Sequence, residues 1–244
     1  MADAPIAIVL IGRNEGERLR NCLASIPDGV PAVYVDSGST DNSVEAARAR
    51  GVLTVDLDVS GGFTAAKARN AGWRALEAAG TAARYVQFID GDCQLREGWL
   101  EVAYQTLEQE PDLAAVFGRR RERFPLASPY NQMCDDEWNV PVGLVASCGG
   151  DAMFRMEALR PAGGYCDDLI AGEEPDLCLR LGRQGWRIRR IDQEMTWHDA
   201  AITSFRGWWL RARRSGFAYA EHVRRHGRQS IPGWLRQLAS IIVW

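Results

Sequence analysis

Apolar runs alternate with helix-like segments through the first 110 residues of the chain. A continuous apolar run, typical of a strand buried on both faces of a parallel sheet, lies at 6–11, and mainly apolar segments that predict further strands lie at 32–35, 52–55 and 85–89. Each of these runs is followed by a segment with apolar residues at helical spacing. These segments are 15–26, one that ends at residue 50, 63–79 and 97–108. The alternation predicts an α/β fold with a Rossmann-like, doubly wound and mostly parallel sheet flanked by helices.

The pattern changes after residue 119. Residues 119–141 are polar, aromatic and irregular, and the segment is too long for an ordinary connection, which is typical of a cover over an active site. A strand at 142–148, a short helix at 156–159 and a helix that ends at 183 complete the predicted core.

The last segment is basic and amphipathic. Residues 204–227 predict a long helix with one apolar stripe, formed by Phe205, Trp208, Trp209 and Ala212. The apolar tail at 238–244 is too short to span a bilayer, so it either contacts a membrane surface or packs on the domain. We therefore divide the chain into a domain at 1–203 and a basic helix with its tail at 204–244, the second a candidate for membrane association.

Composition narrows the class of protein. With 244 residues, 46% of them hydrophobic, the chain is long enough to bury a sizeable core. A net charge of -3 argues against a nucleic-acid partner. The six cysteines lack the spacing of a zinc site, which predicts reduced core thiols in a cytoplasmic protein. The apolar run after Pro5 predicts a first strand rather than a signal peptide.

Asp90-Gly91-Asp92 is the strongest chemical signal. The buried run 85–89 delivers these two carboxylates to the carboxyl end of a strand, where open α/β sheets bind ligands. Paired carboxylates suit a divalent cation that holds a diphosphate, with Asp92 as the first-choice ligand and Asp90 as a second ligand or a ribose contact. The alternative is that both acids only cap a turn.

Five short motifs occur in an order that resembles family 2 glycosyltransferases. They are Leu10-Ile11-Gly12-Arg13-Asn14-Glu15, Val35-Asp36-Ser37-Gly38-Ser39-Thr40-Asp41, Ala68-Arg69-Asn70-Ala71-Gly72, Ile89-Asp90-Gly91-Asp92 and Gly172-Glu173-Glu174-Pro175-Asp176-Leu177. The resemblance covers residues 5–215. It implies a GT-A fold and inverting transfer of a sugar from a nucleotide-diphosphate sugar to an acceptor hydroxyl, with Mn²⁺ or Mg²⁺ as cofactor.

The resemblance also implies a catalytic base. An acceptor hydroxyl attacks poorly unless a carboxylate accepts its proton. Glu174 stands where relatives carry the Asp of a Glu-Asp pair, so the arm is longer here by one methylene, and Glu173 is the second candidate. These acids and Asp176 could instead offset the dipole of a helix start. Asp176 and Arg180 are expected to form a structural ion pair.

The same resemblance assigns the nucleotide-sugar and metal contacts. The nucleotide-sugar residues are Ile11, Asn14, Glu15, Asp36, Ser37, Arg69, Asp90, Gly91, Arg211 and Arg214. Ser37 stands where relatives carry a second Asp, so the base is undetermined. Arg211 and Arg214 either close over the diphosphate or lie on the basic outer side of a core-facing helix. His198 is either a third metal ligand or a structural hydrogen-bonding residue, and His222 and His226 are expected to be solvated.

The acceptor side is less defined. Trp138, Gly149, Gly150 and Asp151 are the candidate contacts, although the aromatic side chains of 123–141 could equally anchor a loop. The acceptor class is a glycan, a lipid-linked or a small molecule, in cell-envelope or exopolysaccharide assembly. Two rivals are a nucleotidyltransferase of similar fold and a catalytically silent nucleotide-sugar-binding scaffold.

Overall fold

The computed structural model describes residues 5–231 and residue 234. Its first half is an alternation of strands and helices: β1 (Ile6–Gly12), α1 (Glu17–Ala24), β2 (Ala32–Asp36), α2 (Ser43–Ala49), β3 (Leu53–Asp56), α3 (Ala65–Ala78) and β4 (Tyr85–Asp90). The four strands are parallel and lie in the order β3-β2-β1-β4. The predicted doubly wound half is therefore confirmed.

The second half continues the same sheet in a mixed pattern. Its elements are β5 (Cys93–Leu95), α4 (Trp99–Gln109), β6 (Leu113–Glu122), α5 (Pro129–Glu137), β7 (Gly143–Val145), β8 (Ala152–Arg155), α6 (Met156–Leu159), α7 (Glu173–Arg183), β9 (Arg187–His198) and α8 (Phe205–His226). Beyond β4 the order is β8-β6-β9-β5, and β7 pairs with β9. Strand β8 is antiparallel to both β4 and β6, whereas β6 and β9 are parallel.

Three predictions for the second half were wrong. The segment 119–141 is not irregular, because it contains the end of β6, a short 3-10 helix and α5, and its role as a cover stays a prediction. The predicted strand 142–148 is reduced to β7 at the outer edge of β9. Strand β6 was missed although it begins with the buried apolar run 113–117, and β9 was missed because charged residues interrupt its apolar pattern.

Side chains from the middle of the sheet form the core. Phe88 on β4 packs edge to face against Phe154 on β8 and against Tyr165, and all three side chains are buried. All six cysteines are free, as predicted, and only Cys166 is not fully buried. The core holds the carboxyl ends of β1, β2 and β4 side by side.

The final helix lies differently from its prediction. Phe205 and Trp209, expected on a core-facing stripe, are exposed, whereas Ala218 and His222 are buried. No helix within the described residues is both long and apolar enough to cross a membrane. The predicted apolar tail at 238–244 lies outside the described residues, and the division of the chain at residue 203 stays a prediction.

Gly72 allows α3 to pack closely on the sheet. A Cβ at this position would lie 2.4 Å from Cγ1 of Val9 and 3.1 Å from Cγ2 of Val35, both in buried strands. We predict that Gly72→Ala lowers the free energy of unfolding by about 1–3 kcal/mol through overpacking, despite the better helix propensity of alanine. Urea denaturation measures the change.

The matched control is Gly61→Ala, because a Cβ at that exposed turn would meet nothing within 4 Å. Equal stabilities of the two variants would contradict the packing argument.

Candidate active site

The loops that follow β1, β2 and β4 form one edge of the sheet. The backbone N–H of Gly91 donates to the Ile11 carbonyl at 2.8 Å, and that of Ser37 donates to the Gly12 carbonyl at 3.0 Å. A Cβ at Gly91 would lie 3.1 Å from the Ile11 carbonyl, so the small residue allows this close approach. The sequence motifs are thereby brought to the same edge.

Arg69 on α3 lies at the centre of this edge. Its guanidinium is buried and contacts Asp90 at 2.9 Å, Glu173 at 2.8 Å and Glu174 at 3.1 Å. Arg69 is among the residues that we expected to contact the nucleotide sugar. Because its charge is already engaged by three carboxylates, Arg69 instead joins the aspartate turn to the start of α7.

Glu174 has the most unusual environment of the three acids. Burial, followed by repulsion from Glu173, raises the pKa of Glu174 to about 7, although Arg69 opposes the shift. The single positive charge of Arg69 cannot neutralise three carboxylates, so Glu174 holds its proton more tightly. A carboxyl group with this pKa can accept a proton at neutral pH.

Gly150 closes the site from the side of β8. A Cβ there would lie 2.4 Å from Nη2 of Arg69, 3.0 Å from Asp90 and 3.3 Å from Glu174. Gly149, by contrast, is exposed and has nothing within 4 Å of its Cβ position. Gly150 therefore contacts the predicted catalytic group, and the predicted acceptor role of both glycines stays a prediction.

Asp151 lies beneath the aspartate turn. One carboxylate oxygen accepts from the backbone N–H of Asp90 at 3.0 Å, and the other accepts from the Thr196 hydroxyl at 2.9 Å. Arg120 contacts the same carboxylate at 2.9 Å and Asp90 at 3.4 Å. The expectation that Asp151 hydrogen-bonds an acceptor hydroxyl needs correction, because its buried carboxylate is fully occupied in holding the turn.

Asp92 and His198 form the candidate cation site. Strand β9 brings His198 opposite β5, so that its Nε2 lies 3.3 Å from Asp92. Donor atoms of Asp92, Cys93 and His198 all lie within 4.8 Å of one another. One carboxylate and one imidazole suit Mn²⁺, so the residues fit the predicted cation.

The environment of His198 supports that fit. Its Nδ1 has no hydrogen-bond partner within the described residues and lies 3.8 Å from the buried carboxylate of Glu122. Metal-binding histidines are commonly oriented by such a carboxylate. Burial opposes the shift, but Asp92 and Glu122 raise the pKa of His198 to about 9, so a cation that binds its imidazole must displace a proton.

A cleft of about 460 Å³ brings Asp92 together with Arg69 and Glu174, whereas His198 lies outside its lining. The predicted residues that line it are Ile11, Glu15, Ser37, Arg69, Asp90, Gly91, Asp92, Glu173, Glu174 and Arg214. Burial, followed by repulsion from Asp92, raises the pKa of Glu15, which shows how acidic this end of the cleft is.

Asn14 and Asp36 mainly organise the loops beside the cleft. The Asn14 side-chain carbonyl accepts from the Thr40 N–H at 2.7 Å, and its backbone N–H donates to Ser39 at 2.9 Å. The buried Asp36 carboxylate accepts from the N–H groups of Gly38 and Ser39. Asp36 is thus less free to meet a ribose than the sequence analysis expected.

Arg211 and Arg214 separate in the structure. Arg211 pairs with Glu137 on α5 at 2.7 Å, away from the cleft lining. Arg214 lines the cleft and forms no ion pair with any described residue. Of these two arginines, only Arg214 is therefore placed to contact a diphosphate in the cleft.

Helix α8 packs on the start of α7 through residues that the sequence analysis treated as solvated. His222 is buried, and His226 contacts Asp176 at 2.8 Å, so that prediction was wrong. The predicted pair between Asp176 and Arg180 is present at 2.8 Å.

Sequence reasoning also missed two groups around the cation site. Glu122 follows three arginines at the end of β6, and this charged run hid the strand that places it opposite His198. Arg120, from the same run, lies over the ring of Trp138, which packs edge to face on His198 at 4.6 Å. Trp138 therefore borders the cation site, and its acceptor role stays a prediction.

Comparison with known proteins fits this geometry. Residues 7–159 match the model of glycosyl transferase family 2. The chain belongs to this family. A pre-mycofactocin glycosyltransferase of Mycobacterium tuberculosis is 28% identical over 248 residues, which cover 93% of this chain and 49% of that protein. The chain thus spans about half the length of that relative. An uncharacterized glycosyltransferase of the same species is 31% identical over 201 residues, which cover 79% of this chain and 85% of that protein.

Solved structures show the fold of this family member. A mannosyltransferase from Pyrobaculum calidifontis, in complex with GDP-Man and Mn²⁺, aligns with a TM-score of 0.65 and 19% identity over 96% of this chain and 67% of that one. Glucosyl-3-phosphoglycerate synthase from Mycobacterium tuberculosis, in complex with Mn²⁺, UDP and phosphoglyceric acid, aligns with a TM-score of 0.63 and 21% identity over 93% of this chain and 80% of that one. The predicted GT-A fold is confirmed.

Because the pKa of Glu174 is raised in the folded protein, the stability of the fold should depend on pH. Between the unfolded pKa of 4.5 and the folded pKa of about 7, the folded protein keeps a proton on Glu174 that the unfolded chain releases. The free energy of unfolding therefore falls as pH rises through this range, and the loss is complete above pH 7. We predict that Glu174→Gln is more stable than the parent by about 1–3 kcal/mol at pH 8.5, and that the difference shrinks towards pH 5.

Urea denaturation of both proteins across this pH range measures the difference. Glu108→Gln is the control, because that carboxyl is largely solvent-exposed and its pKa is lowered rather than raised. A difference that is independent of pH would contradict the assignment.

Proposed function

We propose that this chain transfers a sugar, with inversion, from a nucleotide-diphosphate sugar to a hydroxyl of an acceptor, in a reaction that depends on a divalent cation. The observation that carries the proposal is the position of Glu174. A carboxyl group with a pKa of about 7 lines the same cleft as Asp90 and Asp92, and Arg69 joins it to that turn.

Asp92 and His198 would hold Mn²⁺ or Mg²⁺, with Asp90 beside them. When bound, this cation neutralises the negative charge that develops as the nucleoside diphosphate departs. Arg214 supplies a further positive charge to the cleft. Asp151 and Arg120 keep the aspartate turn in place through the N–H and the carboxylate of Asp90.

Glu174 would accept the acceptor's proton as the hydroxyl oxygen attacks the anomeric carbon. The proton moves to a carboxylate oxygen of Glu174, the new bond to carbon forms, and the bond to the diphosphate oxygen breaks. A single displacement of this kind inverts the anomeric configuration. Arg69 and the neighbouring Glu173 set the basicity of Glu174 and hold its position.

The relatives support the class of donor. The structural neighbours are complexes with GDP-Man or UDP and with Mn²⁺, and one holds phosphoglyceric acid. We take a nucleotide-diphosphate sugar as the donor, without assigning its base. The family match favours this reaction over nucleotidyl transfer. A role in cell-envelope or exopolysaccharide assembly and a cytoplasmic location stay predictions.

Removal of the base is the first functional test. We predict that Glu174→Gln lowers transfer at least about 100-fold, because glutamine cannot accept the proton and the neighbouring Glu173 is held by Arg69 at 2.8 Å, and that it leaves donor affinity within about threefold. In the parent protein kcat/KM should rise with pH and level off above about 7, because the base must be ionised. Released nucleoside diphosphate is measured with Mn²⁺, UDP-glucose and GDP-mannose first.

Unchanged turnover of Glu174→Gln would remove this residue from the mechanism. Release of pyrophosphate from a nucleoside triphosphate would favour a nucleotidyltransferase instead. Donor binding without turnover in the parent protein, with any acceptor, would favour a silent scaffold.

Two adjacent glycines provide a matched pair. We predict that Gly150→Ala lowers transfer at least about tenfold, because the new methyl group displaces the Arg69 guanidinium from its carboxylates. Gly149→Ala should have little effect, since its Cβ meets no other atom within 4 Å. Equal activities of the two variants, measured by nucleoside diphosphate release, would contradict the arrangement.

A further inference from the structure

The first half of α8 turns an apolar face to solvent. Leu210 and Phe217 are both exposed, as are the flanking Phe205 and Trp209, which are 62% and 54% exposed. Phe205 stacks on Trp209 with 6.4 Å between ring centroids, so the two rings form one surface. We call these four residues the outer aromatic face.

Positive charge lies on the same face. Arg206, Leu210, Arg213 and Phe217 follow one another at intervals of four, three and four residues, so they share one side of the helix. Residues 205–217 contain four arginines and no acidic residue. Among the described residues, neither Arg206 nor Arg213 forms an ion pair, although most arginines of the core domain do.

The outer aromatic face adjoins the cleft through the same helix. Arg214 lines the cleft, and Ala218 packs on Gly172 at the start of α7. Two exposed apolar side chains, Phe63 and Ile170, also line the cleft. Apolar side chains are therefore exposed both on α8 and at the cleft that this helix borders.

We propose that the outer aromatic face docks on the surface of an anionic lipid bilayer. Aromatic and aliphatic side chains enter the interface between headgroups and acyl chains, while arginines beside them meet the lipid phosphates. A second copy of the chain fits less well, because a symmetric contact would place these arginines opposite the same arginines. Docking would hold the cleft near the bilayer, which, given the proposed function, brings a lipid-linked acceptor within reach of Glu174.

Vesicle flotation of the full chain tests this proposal without donor or acceptor, so its result is independent of the proposed function. We expect binding to vesicles of phosphatidylcholine with about one third phosphatidylglycerol, and at least tenfold weaker binding to phosphatidylcholine alone. The double variant Phe205→Ala/Trp209→Ala should bind at least tenfold more weakly. Phe124→Ala is its control, because that phenylalanine is 49% exposed and lies outside α8.

Charge is tested separately. Arg206→Glu/Arg213→Glu should abolish binding, whereas Arg20→Glu/Arg48→Glu, which changes the net charge equally on α1 and α2, should retain it. Circular dichroism checks that every variant is folded. Equal binding to both vesicle types, or binding that survives both α8 variants, would overturn the proposal. Dimerisation in sedimentation, abolished by Phe205→Ala/Trp209→Ala and without vesicle binding, would assign the face to a second copy instead.

Discussion

A single buried guanidinium, that of Arg69, is shared by Asp90 at the end of β4 and by Glu173 and Glu174 at the start of α7. Burial of this arginine is tolerated only because carboxylates surround it, and burial of the carboxylates is tolerated only because the arginine is there. The charges do not balance, however, and burial of Glu174, together with repulsion from Glu173, raises its pKa. The same interaction therefore positions the site and sets its basicity.

The rest of the fold supports this arrangement. The parallel half of the sheet brings the loops after β1, β2 and β4 to one edge, and the mixed half adds groups that a purely parallel sheet would not reach. Strand β9 carries His198 towards Asp92, β6 places Glu122 behind His198, and the turn before β8 supplies Gly150 and Asp151. The proposed cation ligand Asp92 and the proposed base Glu174 thus belong to one framework rather than to two separate sites.

The sequence predicted those parts of the molecule that follow from local patterns. Mainly apolar runs located β1 to β4, and the acids after β4 and at the start of α7 were found as motifs. Contacts between distant segments could not be predicted from the spacing of residues along the chain. Arg69 was expected to meet the nucleotide because its three carboxylate partners lie 21, 104 and 105 positions away along the chain. Glu122 was missed because its position depends on the pairing of β6 with β9, two strands rich in arginine.

The central claim is that burial of Glu174, together with repulsion from Glu173 beside the shared Arg69, gives Glu174 a pKa near neutrality. Carbon-13 NMR of the glutamate side-chain carboxyl groups, with the Glu174 resonance assigned by its absence from Glu174→Gln, measures that pKa directly. The account predicts a titration midpoint of about 7. A midpoint near the ordinary value of 4.5 would contradict it, because Glu174 would then be an ordinary ion-paired carboxylate.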